Sequence, residues 1–144
     1  MAATQSAADI IKRLNEFQPS FIDLLGGSVV AVDTQRQACT FQFCVPLDYC
    51  HSGDVVQGGF VTAMLDAAMS HAVFGCEPDV QRLSTLEIST RYENVTRGAS
   101  PITVTGWIRK LTRSVAFLEA DIRDQQGGTL ATAQSVAKIS RSAN

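Results

Sequence analysis

The sequence lacks the features that mark secreted, membrane-spanning or nucleic-acid-binding proteins. Its 144 residues carry 12 basic and 14 acidic side chains, so no basic excess indicates a nucleic-acid partner. The first residues, MAATQSAADIIKRLNEF, have neither the charged start nor the continuous apolar stretch of a signal peptide. The longest apolar run, Phe60 to Cys76, is interrupted by Asp66, Ser70 and His71 and is predicted to fall short of a membrane span. These absences favour a cytoplasmic protein.

Cysteine and histidine are too few and too irregularly spaced to predict a disulfide framework or a metal site. The four cysteines form no CxxC pair and no zinc-ribbon pattern, so we expect reduced thiols. There are only two histidines, which excludes a histidine-rich metal centre. His51, Asp54 and Cys50 carry possible ligand atoms, but near neighbours in a loop seldom supply closed coordination geometry. We therefore expect neither a metal nor a cofactor.

Short polar turns separate segments with alternating apolar residues, which predicts one α+β domain over residues 1–144. A helical region within residues 1–20 has Ser6 as its N-cap and is stopped by Pro19. Two strands follow, joined by a polar turn around residues 34–37. After a long central helix, four more strands are joined by short turns and should form an antiparallel meander. The predicted layout is one sheet with one dominant helix.

The segment QGGFVTAMLDAAMSHAVFGC predicts a buried central helix over residues 58–75 with one narrow polar line. It is apolar nearly all round, whereas a surface helix has a broad polar face. Gly58, Thr62, Asp66 and Ser70 are spaced by four and therefore share one face. The carboxylate is either a satisfied structural group or a catalytic group, because an unpaired buried charge is costly. The two glycines favour catalysis, since free N–H groups at a helix start stabilise an oxygen that gains negative charge.

The segment HSGDVVQGGFVTAMLDAAMSHAV, with the strand TLEISTRY downstream, resembles the hotdog-fold acyl-CoA thioesterases of the PaaI-like branch. The family motif has His or Gln, two glycines and an acidic residue seven positions later, which Gln57-Gly58-Gly59 and Asp66 match. The resemblance implies an antiparallel sheet wrapped around the central helix. It also implies a homodimer, assembled further into a homotetramer, that hydrolyses acyl-CoA and needs no cofactor beyond the CoA of its substrate.

The resemblance also implies roles for single residues. Asp66 would be the general base or a nucleophile, and the Gly58 N–H would polarise the thioester carbonyl with Gln57 nearby. Thr85 would help to hold the attacking water. The family site lies at a dimer interface, which implies that Thr85 comes from the other subunit. This would explain how a polar residue that strict alternation places on the strand face opposite Leu86 and Ile88 reaches the reacting groups. His51 stands where the family has Asn, as a polar stand-in, a second acid/base group or a solvent-facing residue.

Residues around the motif are candidates for substrate binding. By charge alone, four residues are candidates for binding the CoA phosphates: Arg91, Arg109, Lys110 and Arg113. The alternative for each is a solvated surface charge with no ligand. The acyl group and the thioester have candidate contacts along the helix and just before it, with core packing as the alternative for the apolar ones: Val55, Val56, Gly59, Phe60, Thr62, Met64 and Phe74. The alternative function is a non-catalytic acyl-CoA or ligand-binding module on the same fold.

Overall fold

The computed structural model describes residues 5–142, within which the chain forms three α-helices and eight strands. The helices are α1 (Ala7–Glu16), α2 (Ser20–Leu24) and α3 (Gly58–Cys76). The strands are β1 (Gly27–Asp33), β2 (Ala38–Cys44), β3 (Cys50–His51), β4 (Val55–Val56), β5 (Val80–Tyr92), β6 (Pro101–Leu111), β7 (Val115–Arg123) and β8 (Thr129–Arg141).

Six strands form one antiparallel sheet in the order β1-β2-β6-β7-β8-β5, and β3 pairs with β4 in a small hairpin before α3. The sheet wraps around α3, which confirms the predicted hotdog architecture. The end of the N-terminal helical region differs from the prediction. Pro19 does stop α1, but it also serves as the N-cap position of a second helix, α2, because its fixed φ suits a helix start.

The central helix is packed directly against the sheet. Met64, Leu65 and Ala68 are fully buried. Gly106 of β6 lies so close to α3 that a Cβ there would overlap the backbone of Ala68 and Met69. Helix α3 is long enough and apolar enough (mean hydropathy 1.2) to cross a membrane, although its polar residues led us to expect that it would fall short of a membrane span. Because 56% of that window is buried inside the domain, α3 is its core helix.

Helix α1 covers the second half of α3. Ser6 caps α1 by accepting a hydrogen bond from the Asp9 N–H at 3.1 Å, as predicted. Leu14 is buried and would lie 3.3 Å from a Cβ placed on Gly75 of α3. Arg13 donates to the Phe74 carbonyl at 3.2 Å, which satisfies one of the last four carbonyls of α3. These contacts fix α1 beside the polar line.

Strand β5 contains a β-bulge that the alternation pattern does not predict. Its pairing with β8 shifts register between Thr85 and Glu87, so Leu86 is the extra residue. Thr85 and Ile88 are consequently half-buried, whereas Leu86 is 64% exposed. The prediction that Leu86 and Ile88 share a face opposite Thr85 is therefore wrong. The bulge turns the Thr85 side chain toward α3.

Candidate active site

The polar line of α3 lies against a polar face of β5. Thr85 Oγ1 donates to Asp66 Oδ1 at 2.8 Å, and Thr62 Oγ1 donates to Thr90 Oγ1 at 3.0 Å. The Tyr92 hydroxyl lies 2.8 Å from Thr62 Oγ1. All four members of the predicted line are half-buried. The spacing of four along the sequence therefore identified the face of α3 that contacts β5.

Asp66 is oriented by one hydrogen bond and borders a cavity. Oδ1 accepts the Thr85 hydroxyl, and Oδ2 has no hydrogen-bond partner within residues 5–142. The carboxylate borders a cavity of about 510 Å³ whose other walls include Leu14, Phe17 and Phe74. The prediction that Thr85 comes from the other subunit is wrong, because the bulge brings the Thr85 hydroxyl to Asp66 within one chain. An oriented carboxylate with one free oxygen beside an apolar cavity can accept a proton from water.

The start of α3 presents unpaired backbone donors. Gln57 is the N-cap residue and its side chain makes no capping hydrogen bond. Neither the Gly58 nor the Gly59 N–H has an acceptor in the part of the chain that the structure describes. A Cβ placed on Gly59 would meet no atom within 4 Å. This helix start is therefore open to an oxygen atom from outside the chain.

Tyr92 anchors this helix start, and the sequence interpretation missed it. Its hydroxyl donates to the Gly58 carbonyl at 2.8 Å, and a Cβ on Gly58 would lie 3.3 Å from that hydroxyl. The available signal was its spacing: Thr90 and Tyr92 are two apart on β5 and so face the same side. Tyr92 therefore fixes the position of the Gly58–Gly59 amides relative to the sheet.

The loop before the motif is the short β3–β4 hairpin, which is held by a local ion pair. Gly53 adopts φ +91°, a left-handed conformation that favours glycine. Asp54, which stands where the family motif that the sequence resembles has glycine, pairs with Arg97 at 2.7 Å and so has a structural role. His51 is exposed and its Nδ1 lies 3.1 Å from Ser52 Oγ, which favours the solvent-facing alternative. Within residues 5–142, no group of three His, Cys, Asp or Glu side chains is placed to hold a metal ion.

His71 is a packing residue. It is 7% exposed, its Nδ1–H donates to the Ala67 carbonyl at 2.9 Å, and its ring stands edge-on to Phe41. Burial lowers the pKa of His71, partly opposed by the hydrogen bond to Ala67. His71 borders the cavity next to Asp66 without a hydrogen bond to it. Its place five residues after Asp66 turns it to a different side of the helix, as the sequence indicates.

The predicted acyl contacts divide into lining residues and core residues. Phe74 borders the cavity beside Asp66, and Phe60 borders a second cavity near the start of α3. Val56 and Met64 are 3% and 0% exposed and border neither cavity, so the core alternative holds for both. Val55 pairs with His51 in the small hairpin.

The predicted phosphate contacts are not brought to Asp66 within one chain. Arg91 borders a hollow on the outer face of the sheet with Trp107, since its neighbour Thr90 faces α3. Arg109 borders another hollow beside Phe117, and the Lys110 ammonium lies 6.0 Å from the centre of the same ring. Arg113 is exposed in the β6–β7 turn.

Solved structures share this fold over almost their whole length. A phenylacetic acid degradation-related protein of Ralstonia eutropha JMP134 has 22% identity, a TM-score of 0.79 and coverage of 90% of this chain and 98% of its own. The PaaI protein of the E. coli phenylacetic acid degradation operon has 13% identity, a TM-score of 0.78 and coverage of 93% and 92%. A hypothetical thioesterase protein of Streptococcus pneumoniae TIGR4, solved with coenzyme A, has 14% identity, a TM-score of 0.74 and coverage of 85% and 93%.

A family model identifies the chain more directly. No curated protein matches the sequence. The model of the Thioesterase superfamily matches residues 53–131, which is more than half of the chain and includes all of α3 and β5. The prediction of a thioester hydrolase is thereby confirmed, and the solved structures confirm the predicted hotdog fold. The chain belongs to the Thioesterase superfamily.

Proposed function

We propose that this protein hydrolyses acyl-CoA thioesters to a free acid and CoA, with Asp66 as the catalytic carboxylate. The observation that carries the proposal is the 2.8 Å hydrogen bond from Thr85 to Asp66 at the wall of an apolar cavity. It orients the carboxylate and leaves Oδ2 free for water. The S. pneumoniae relative solved with coenzyme A supports a CoA ester as the substrate.

Two reaction sequences fit this carboxylate. As a general base, Asp66 takes a proton from water while the water oxygen bonds to the thioester carbon; the C–S bond then breaks, and the proton passes to the CoA thiolate. As a nucleophile, Asp66 bonds to the same carbon and expels the thiolate, and water then hydrolyses the anhydride. A thioester carbonyl is already electrophilic, so positioned water, a base and a helix-start oxyanion site suffice without a metal or other cofactor.

The geometry of α3 supports a site to which two copies of the chain contribute. Gly58 and Asp66 are eight residues apart, which is about 12 Å along the helix axis. An oxyanion donor lies about 3 Å from the carbonyl oxygen, and the base must contact water attacking the same carbonyl. One α3 cannot meet both requirements. The Gly58 N–H and the Gln57 side chain of one copy therefore act with Asp66 and Thr85 of the second copy.

Strand β5 supplies a surface for this association. It is an edge strand of 13 residues, and a long unprotected edge tends to pair with another chain. Leu86 and Tyr92 on this strand are 64% and 54% exposed. We propose a homodimer through β5. Its further assembly into a homotetramer is supported by Trp107 and Phe117, half-buried aromatic residues on the outer sheet face.

The decisive variant is Asp66→Asn, which keeps the shape of the side chain and removes its charge. We expect thiol release from acyl-CoA to fall by a factor of about 10²–10⁴, the usual contribution of general acid–base catalysis. Asp48→Asn, the same change at an exposed carboxylate that borders neither cavity, is the matched control and should stay active. Circular dichroism and sedimentation should show the same fold and mass for both variants. Near-normal turnover by Asp66→Asn would refute the mechanism.

Two further measurements separate the remaining alternatives. After a single turnover in H₂¹⁸O, mass spectrometry that finds ¹⁸O in Asp66 identifies a nucleophile whose anhydride is opened at the Asp66 carbonyl. Label found only in the product acid comes either from a base or from an anhydride opened at the acyl carbon, and trapping of the anhydride with hydroxylamine separates these two. A non-catalytic binding module would bind a non-hydrolysable acyl-CoA analogue and release no thiol from any thioester. Together, the labelling and binding experiments distinguish a general base, a nucleophile and a non-catalytic binding site.

The cytoplasm is the compartment that we propose for this reaction. All four cysteines are free thiols, as in proteins of reducing compartments. Burial, with a smaller contribution from Cys76, raises the pKa of the Cys39 thiol to about 12, so this cysteine is an inert core residue.

A further inference from the structure

The cavity beside Asp66 is bordered by two charged side chains of opposite sign. Among the described residues on its wall, Asp66 and Arg13 are the only charged ones, and most of the others are apolar. His71, on the same wall, is neutral at pH 7 because burial lowers its pKa. Along α3 the bordering residues run from Asp66 to Phe74, which lies eight residues later and therefore about 12 Å further along the axis.

Arg13 of α1 lies at the end of the cavity that is nearer to the end of α3. Its Nη2 donates to the Phe74 carbonyl at 3.2 Å, which orients the guanidinium. Helix α1 is itself fixed to the sheet: the Asn15 side chain donates to the Val29 carbonyl at 3.0 Å and accepts from the Val29 N–H at 2.8 Å. A guanidinium held in this way loses little conformational freedom when it binds an anion.

Most of the hydrogen-bonding capacity of Arg13 is unused. A guanidinium has five N–H donors, and the bond to Phe74 is the only hydrogen bond of Arg13 within residues 5–142. In that part of the chain Arg13 forms no ion pair, whereas its neighbour Lys12 lies 4.0 Å from Glu16. Arg13 is half-buried, so an anion bound in the cavity would offset the cost of removing this cation from water.

The chemistry of the cavity therefore matches an acyl group that carries an anion at its far end. Asp66 lies where the thioester carbonyl is attacked, and the apolar wall contacts methylene groups. The planar fork of a guanidinium matches a carboxylate through two parallel hydrogen bonds. A carboxylate bound by Arg13 would also lie far from the negative charge of Asp66.

We propose that Arg13 binds a carboxylate at the far end of the acyl group, so that the protein prefers CoA thioesters of dicarboxylic acids. The contacts at the two ends each take about 3 Å, which leaves about 6 Å of the separation of about 12 Å for the acyl group itself. An adipoyl group has this length, whereas a succinyl group is too short to reach Arg13. This inference rests on the proposed thioesterase function and specifies its substrate class.

The test compares adipoyl-CoA with hexanoyl-CoA, which has the same chain length and lacks the terminal charge. In wild type, kcat/KM for adipoyl-CoA should exceed that for hexanoyl-CoA about 10–100-fold, the effect of hydrogen bonds to a charged group. Arg13→Gln keeps a donor for the Phe74 carbonyl and removes the charge, so it should lower this ratio at least about tenfold. Lys12→Gln, the same change beside it and outside the cavity, should keep the wild-type ratio.

The ratio separates recognition of the carboxylate from a structural role of Arg13. A merely structural role would lower kcat/KM for both thioesters alike and leave their ratio unchanged. A wild-type ratio of one or less, or an unchanged ratio in folded, active Arg13→Gln, would overturn the proposal.

A second pair of thioesters tests the proposal in wild type alone and decides it if Arg13→Gln fails to fold. Succinyl-CoA and butyryl-CoA differ by the same terminal charge on a shorter chain. We expect the preference for the charged member to be much larger in the adipoyl and hexanoyl pair, since only the longer chain reaches Arg13. Equal preferences in both pairs would refute binding at Arg13.

Failure of the proposed function is recognised separately. If wild type remains folded and hydrolyses none of these thioesters, the assignment of the reaction is wrong. Calorimetric titration with monomethyl adipate and methyl hexanoate then decides the role of Arg13. Binding of monomethyl adipate that is lost in Arg13→Gln supports the carboxylate site. No binding to wild type, or equal binding by the two proteins, refutes it.

Discussion

Thr85→Val removes the hydroxyl that orients Asp66 and keeps the volume of the side chain. The lost bond is 2.8 Å long and its acceptor is a carboxylate oxygen in a half-buried position. A hydrogen bond to a charged group contributes about 1.5–3 kcal/mol, which corresponds to a fall in turnover of about 10–100-fold if the whole contribution acts on the reaction. Because part of that energy also supports the fold, the lower end of the range is the safer expectation.

The assay is thiol release from acyl-CoA, with kcat and KM determined separately. Thr90→Val is the matched control, because Thr90 lies on the same strand and accepts a hydrogen bond from Thr62 at 3.0 Å, with no carboxylate involved. Thr85→Ser retains a hydroxyl and should recover most of the activity. We expect the loss in Thr85→Val to appear in kcat, since Thr85 acts on Asp66 and does not itself contact the acyl chain. Equal effects of Thr85→Val and Thr90→Val would contradict this role.

Mixed dimers test whether Thr85 and Asp66 act within one chain. When Asp66→Asn and Thr85→Val chains are combined, each site still carries one damaged residue if the pair belongs to one chain, so activity stays low. If Thr85 served the carboxylate of the partner, one site of each mixed dimer would hold two intact residues. Because random mixing of equal amounts makes about half of the dimers mixed, recovery to about a quarter of the wild-type activity would refute the contact that the bulge creates.

Three further predictions address the helix start and the core. Tyr92→Phe removes the donor to the Gly58 carbonyl and should lower kcat about two- to tenfold with an unchanged fold, the effect of one neutral hydrogen bond. Gly59→Ala adds a methyl group where no atom lies within 4 Å, so circular dichroism should show normal folding. Its activity should fall because substrate or partner approaches this amide; full activity would place the carbonyl elsewhere. Burial lowers the pKa of His71, so the unfolded chain binds the extra proton more readily and Tm should fall as the pH drops below about 6.5. His71→Gln should weaken that dependence, as measured by thermal unfolding across pH.

The central helix could be predicted from the sequence because local patterns decide it. Apolar residues surround its axis, and the spacing of four places Thr62 and Asp66 on one face whatever surrounds them. The β-bulge at Leu86 could not be predicted in this way. It exists because Thr85 pairs with Ala137 whereas Glu87 pairs with Val136, and pairing with a distant strand leaves no mark within the strand itself. The two cavities depend likewise on how α1 and α2 pack across α3.

The motif from Gly58 to Asp66 contains two half-sites that lie too far apart to act on one carbonyl within a single chain. Its Gly58 end offers free amides held in place by Tyr92, and Asp66, about 12 Å further along, carries the oriented carboxylate. In the homodimer that we propose, each helix start meets the carboxylate of the other helix, and the twofold axis makes both sites identical. On this view the spacing between the glycines and the acid reflects the offset between two paired helices. A single helix that bound one carbonyl alone would need its donor and its base within one turn.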